Sequence, residues 1–269
     1  MSVVIPASSR SWIGKAHLIE ATLQAVYIPQ PTLTPTSTTS TPTSTEPNEW
    51  VILRNGTPAS CVQLGLYNLF PEKPPVDLVV SGPNHGRNAS TIYNLSSGTV
   101  GGALEAATCG TRAIAISFGS KDPQSEETIA AAARLAVRVV LALVRNWDER
   151  VELYNLNVPM RADVESRAVR YTTALPYSWS RGVLYSEVQG SGSDHVNGHD
   201  SQGNGVDAIK QRNFKWSAEL SDMKKALQAA QEGTDAHTVL NGYTRYCTLP
   251  PHHSLLLKRE KKKKKNNAN

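Results

Sequence analysis

Ser81-Gly82-Pro83-Asn84-His85-Gly86-Arg87-Asn88, followed by Ser97-Gly98-Thr99, is the stretch that decides the fold of this 269-residue chain. It comes directly after an apolar run, Asp77-Leu78-Val79-Val80, that reads as a strand. A strand that breaks into glycines, amides and hydroxyls and restarts as a helix is how α/β proteins build anion sites. The glycines let the backbone approach a ligand, and the helix N-terminus offers unpaired N–H groups and the positive end of a dipole. The same pattern also describes a plain tight connection. The residues on either side have to decide.

Working outward, residues 3–5 read as a buried strand that leaves through a Pro6-rich loop carrying Ser11. Residues 57–69 read as a helix, with Thr57 as N-cap, Pro58 at the first helical position, and Val62, Leu66 and Leu69 at helical spacing. Residues 98–108 predict a short helix closed by Gly110, and 113–118 another apolar strand. Asp122-Pro123 opens the clearest helix, whose core face is expected to be Ile129, Ala133, Ala136, Val137, Val140, Leu141 and Val144. A further amphipathic helix is expected over 216–230 and a mixed strand region over 239–249. Strands alternating with helices predict an α/β fold with a doubly wound, Rossmann-like parallel sheet. In such sheets ligands bind beyond the C-terminal strand ends, where the loops of Ser11 and Asn84 emerge.

Composition sets the boundaries. Residues 31–45 contain only Pro, Thr, Ser and Leu33, so 31–48 is expected to be a disordered insert, as is the Gly/Ser/Asp/Asn/His stretch 190–205. That leaves one domain over 1–257 and a basic tail over 258–269. A net charge of +5 suggests a nucleic-acid partner, but 258–265 alone carries seven bases and one acid, leaving a nearly neutral body. The tail reads as a solvated terminus; a nuclear address or a weak RNA contact is the other reading. No run approaches the roughly 20 apolar residues that span a bilayer, so no membrane partner is expected. The N-terminus lacks the apolar core of a signal peptide. The three cysteines, Cys61, Cys109 and Cys247, read as free thiols of a reducing compartment, which with the missing leader points to the cytoplasm.

Four segments then occur in a telling order: 3–16 (Val-Val-Ile-Pro-Ala-Ser-Ser-Arg-Ser-Trp-Ile-Gly-Lys-Ala), 55–62 (Asn-Gly-Thr-Pro-Ala-Ser-Cys-Val), 77–86, and 97–100 (Ser-Gly-Thr-Val). This series resembles the SurE family of metal-dependent nucleotidases and phosphatases, in its fungal-type branch. Phe214-Lys215-Trp216 and residues 235–243 extend the resemblance more weakly. The resemblance implies hydrolysis of phosphomonoesters, nucleoside 5′-monophosphates included, with a divalent cation, Mg²⁺ or Mn²⁺, and a homodimer built by C-terminal exchange. Carried over residue by residue, it implies Ser11 and Asn84 as metal ligands, Asn88 and Ser97 as catalytic residues on the phosphate side, and Gly98 and Thr99 as phosphate donors.

Each of these residues also has a plainer reading. Ser11 can cap a turn and Asn84 can hold an Asx turn. Lys15, in the loop after Gly14, meets either phosphate or solvent. His85 meets a leaving group or fills a turn position. Asp235 resembles an aspartate near the family's active site. His195, His199, His252 and His253 have metal-like spacing but lie in low-complexity or terminal stretches without cysteine partners. One departure stands out. Family members open with a strand ending in Asn-Asp-Asp-Gly, whose aspartates anchor the metal, and these 269 residues contain no Asp-Asp pair. The expectation is therefore a SurE-type sheet without its first βα unit, about 30 residues. Its hydrolytic activity is open to doubt, and a non-catalytic nucleotide- or partner-binding role is the alternative.

Overall fold

The structure is a computed structural model that describes residues 1–29, 49–120, 122–180, 184–188 and 212–249. Its centre is a strand buried on both faces, β5 (Arg112–Phe118), with β4 (Leu78–His85) and β6 (Leu153–Val158) parallel to it on either side. Ile114, Ile116 and Phe118 point to one layer of helix and Ala113 and Ala115 to another, so alternate residues of one strand serve two cores. Beyond β6 the sheet continues through β10 (Thr244–Thr248), antiparallel to β6, and ends at β7 (Val169–Tyr171). Three further strands form their own sheet. In it β3 (Glu49–Arg54) is flanked by a parallel β1 (Val3–Pro6) and an antiparallel β2 (Gln24–Pro29). A two-stranded arm, β8 (Tyr185–Val188) with β9 (Asn213–Trp216), completes the described sheets. The fold is α/β and doubly wound as expected, but the pairing is mixed rather than wholly parallel.

Local signals explain the helices that carry the site. Thr57 and Ser60 exchange hydrogen bonds across the first turn of α1 (Pro58–Tyr67), with Pro58 where its missing N–H costs nothing. Helix α2 (Thr91–Ser96) runs straight into α3 (Gly98–Thr108), and Ser97 caps α3 by accepting from the Val100 N–H at 3.2 Å. Helix α1 packs on β1 and on α3, while α3 packs on β4 and β5. The helical layer is thus continuous where the sheet is not. β1 has no partner on the side away from β3, and β4 none on the side away from β5, among the described residues. Both open edges line one cavity of about 1890 Å³. Ile5 and Val80 remain 39% and 45% exposed there, side chains that a continuous parallel sheet would bury on both faces.

Three expectations need correction. Strand β4 does not break after Val80; it continues to His85, absorbing the irregular stretch in a register shift between Ser81 and Asn84. The long helix α4 (Glu126–Arg145) begins after Ser125, whose hydroxyl accepts from the Thr128 N–H, with Glu126 and Glu127 in the first turn. Its buried face is Ala131, Ala132, Leu135, Ala136, Val139 and Leu143, packed on β5 and β6, while Ile129, Val137, Leu141 and Val144 face outward. Residues 216–230 are not one helix: Trp216 ends β9, and α5 spans Ser221–Gln228 before α6 (Asp235–Leu240). The two expected inserts and the lysine tail lie outside the described residues. No described helix is long and apolar enough to cross a membrane.

Candidate functional site

Strand β4 delivers the signature stretch to the cavity. Gly82 sits at φ +116°, and a Cβ there would collide with the Ile116 carbonyl, so this close approach of β4 to β5 requires glycine. Beyond it Asn84, His85, Arg87 and Asn88 all reach the cavity wall. The loop after β1 also lines the cavity, with Arg10, Ser11 and Trp12. It is held against the end of α2 by the Gly14 N–H, which donates to the Ser96 carbonyl at 2.9 Å. The floor is the start of α3. Ser97, Gly98 and Thr99 line the same cavity, and a Cβ on Gly98 would stand 2.9 Å from Ile13 and 3.1 Å from the Arg10 carbonyl. Six of the seven residues singled out from sequence therefore share one cavity: Ser11, Asn84, Asn88, Ser97, Gly98 and Thr99.

Lys15 is the seventh, and it lies elsewhere. Its ammonium is 2.5 Å from a carboxylate oxygen of Glu105, a buried residue of α3 that also faces His17 and Gln63. Burial alone pushes the Glu105 carboxyl up. Hydrogen bonds from Lys15, Gln63 and His17, with the Lys15 charge, outweigh that and hold it below its ordinary value. Lys15 fastens the loop to the helix rather than lining the cavity.

Asn88 is fixed by a buried polar network. Its side-chain amide donates to Ser117 at 2.8 Å, and its backbone N–H donates to Asn157 at 2.9 Å. Its carbonyl accepts from Asn155, Asn157 and the guanidinium of Arg245. Arg245 lies 3.6 Å from Asp235, and both are fully buried. The Asp235 carboxylate also accepts from the backbone N–H groups of Ser90, Leu175 and Ala236. Asp235 thus ties the turn after Asn88 to α6 and is a positioning residue here. Sequence reasoning missed Asn155 and Asn157, although two amides alternating through the otherwise apolar β6 were a visible signal.

The electrostatics favour an anion. Ser97 occupies the N–H groups of Val100 and Gly101, which leaves those of Gly98 and Thr99 at the helix start for a ligand. Arg10, Lys73, Arg87 and Lys224 line the cavity against one carboxylate, Asp77. The Arg10 Nε is buried without a hydrogen-bond partner. Arg10 and Arg87 are the second omission of the sequence reading, and an arginine beside Ser11 and another inside the signature stretch were its signal. Asp77 stands just before the opposite end of β4, about 23 Å from Asn84 at a strand rise of roughly 3.3 Å per residue.

The sequence model of the family described as "Survival protein SurE" matches residues 1–181. The chain belongs to the SurE family. Among its relatives is the 5′-nucleotidase SurE of Rhodopirellula baltica, 41% identical over 121 residues, covering 45% of this chain and 46% of that protein. The probable tubulin–tyrosine ligase PBY1 of Saccharomyces cerevisiae is 37% identical over 184 residues, 60% of this chain and 24% of the yeast protein. This SurE chain therefore spans less than half of either relative's length. Its fold is that of the SurE protein of Aquifex aeolicus, with a TM-score of 0.62 at 23% identity over 95% of this chain and 86% of that one. The α/β architecture of SurE and the cavity between its open strand edges thus coincide in one chain.

Proposed function

We propose that the cavity takes the phosphate of a phosphomonoester, a nucleoside 5′-monophosphate above all, as the site of a SurE-type phosphomonoester hydrolase would. The observation that carries this reading is that one cavity is lined by the start of α3, with the Gly98 and Thr99 N–H groups and the Ser97 hydroxyl, and by Arg10 and Arg87. Backbone N–H groups at a helix start hold phosphate oxygens with directed hydrogen bonds, and guanidiniums neutralise their charge. Ser11, beside Arg10, and Asn84, in the stretch that carries Arg87, line the same cavity and orient the ester. Asn88 supports the site through the Ser117 and Asn157 contacts that fix its backbone.

The family resemblance implies a divalent cation, Mg²⁺ or Mn²⁺. The residues present do not fit one. Ser11 and Asn84 supply neutral oxygens, Asp77 is at the far end of its strand, and no three His, Cys, Asp or Glu side chains among the described residues gather into a metal-holding group. Hard cations of this kind are held by carboxylates. No catalytic step is therefore derived through the metal, and what these residues do is bind and orient the phosphate. The same shortage of carboxylates favours the second reading, nucleotide binding without turnover. Calorimetric titration with 5′-AMP, alongside phosphate release with Mg²⁺ or Mn²⁺, tests both. Saturable 5′-AMP binding supports the site, release at the rate of the protein-free control selects the second reading, and no binding overturns both.

A further inference from the structure

We propose that the aromatic cluster around Trp12 is a stacking platform for the base of the nucleotide whose phosphate lies at the start of α3. The proposal rests on the phosphate reading above and adds the part of the substrate that reading leaves open. The Trp12 ring centroid lies 6.1 Å from Tyr93, 5.9 Å from Trp179 and 5.3 Å from Trp216, and Trp216 is itself 5.3 Å from Tyr185. These rings come from five separate parts of the chain: the loop after β1, helix α2, the segment before β8, β8 itself and β9. Such convergence at a surface usually serves either a core or a ligand. A core role would bury the central ring. Trp12 instead keeps 39% of its surface exposed and, with Tyr93, lines the cavity.

Its position ties it to the phosphate site. Trp12 follows Ser11 and precedes Ile13, whose side chain lies against Gly98 at the start of α3. Tyr93 is one helical turn ahead of the α3 cap, its carbonyl accepting from the Ser97 N–H at 3.0 Å. The segment carrying Trp179 is pinned to the same helix, for Thr91 exchanges hydrogen bonds with Tyr177 at 3.0 and 3.1 Å. Trp12 also holds φ +61°, a conformation that a bulky residue rarely adopts and that recurs at ligand clamps. The strain sets the indole on the wall beside Ser11. Burial pushes the Tyr93 phenol up, with Arg87 acting the other way, so its ring stays neutral and available for stacking.

A half-exposed indole, braced largely edge-on by its aromatic neighbours and next to the proposed phosphate site, selects an aromatic group one sugar away from a phosphate. Stacking accepts every base, because each has a π-face, so the cluster selects nucleotides as a class rather than one base. The expected result is that 5′-AMP and 5′-CMP bind the intact chain at least about tenfold more tightly than ribose 5-phosphate. They should also quench tryptophan fluorescence where inorganic phosphate does not. In Trp12→Ala the ratio of 5′-AMP to ribose 5-phosphate affinity should fall towards one, and Trp12→Phe should retain most of it. The wild-type ratio needs no variant, so a poorly folded Trp12→Ala does not shelter the proposal. Equal affinities for 5′-AMP and ribose 5-phosphate in the wild type overturn it, as does a ratio that survives in folded Trp12→Ala. Adenosine separates the two readings. Trp12-dependent quenching by adenosine, with no binding of ribose 5-phosphate or inorganic phosphate, supports the platform and overturns the phosphate assignment.

Discussion

The ammonium of Lys15 lies 2.5 Å from the buried carboxylate of Glu105, and this pair joins the loop carrying Ser11 and Trp12 to the helix whose first turn lines the cavity. A lysine beside glycine-rich sequence invites a phosphate role; here its partner sits on α3 behind the cavity. Lys15→Met leaves the Glu105 carboxylate buried with Gln63 and His17 alone. Removing one partner of a fully buried pair costs about 3–5 kcal/mol, and the 31% exposure of the Lys15 side chain reduces that to roughly 1–3 kcal/mol. Urea unfolding should show that loss, and Lys15→Met/Glu105→Leu should recover part of it. The 5′-AMP affinity of folded Lys15→Met should stay within about twofold of wild type. A tenfold loss would return Lys15 to the site.

The same pair makes stability depend on pH. Because the folded Glu105 carboxyl titrates below its ordinary value, near 4.3 in an unfolded chain, its contribution is complete above that value. It disappears as pH falls through the folded value. Asp148 and Asp163, each lowered to about 2 by hydrogen bonds from Arg150 and Arg161 respectively, lose contributions over the same acid range. The informative quantity is therefore the difference between wild type and Glu105→Gln. Urea midpoints measured from pH 7 to pH 3 should converge for the two proteins as the pH drops. Parallel curves would mean that the Glu105 charge contributes nothing.

What the sequence made legible was local. Thr57-Pro58, Ser97-Gly98 and the apolar 113–118 each carry their instructions within a few residues, and the structure places them with nearly the expected bounds. That six candidate residues share one cavity was legible for the same reason, since they fall in two short stretches and one loop. Lys15 was not, because its direction is set by Glu105 far along the chain. Arg245 and Asp235 meet Asn88 only through tertiary packing, and nothing near Asn88 announces them. In α4 the larger apolar residues pointed to the wrong face.

That error in α4 has a physical cause that can be tested. The helix carries two apolar stripes, and the one rich in alanine lies against the sheet because small side chains let a helix approach β5 and β6 closely. Leu135 is 4% exposed and Leu141 48% exposed. Leu135→Ala should cost about 2–5 kcal/mol through the lost burial and the cavity left behind. Leu141→Ala should cost well under about 1 kcal/mol, since little area is lost and alanine favours the helix. Equal losses in chemical denaturation would mean that the outward stripe is covered in solution.

Charge decides the remaining question, whether the site turns substrate over. Ser11 and Asn84 face a cavity lined by four cations and one remote carboxylate, which suits a phosphate and repels a divalent metal. The chain should therefore release p-nitrophenol from p-nitrophenyl phosphate at the background rate in Mg²⁺ or Mn²⁺. Between β1 and β4 two open strand edges flank the cavity, so a fused strand ending in Asn-Asp-Asp-Gly has backbone partners on both sides and would set its aspartates beside Asn84. Placed ahead of Met1, that strand should raise metal-dependent turnover well above background. In the fusion, Ser11→Ala and Asn84→Ala should each lower kcat by roughly one to three orders of magnitude, the scale of one lost electrostatic contact. Full activity in both variants would show that neither residue meets the metal or the ester. Robust turnover by the unfused chain would refute the carboxylate argument itself.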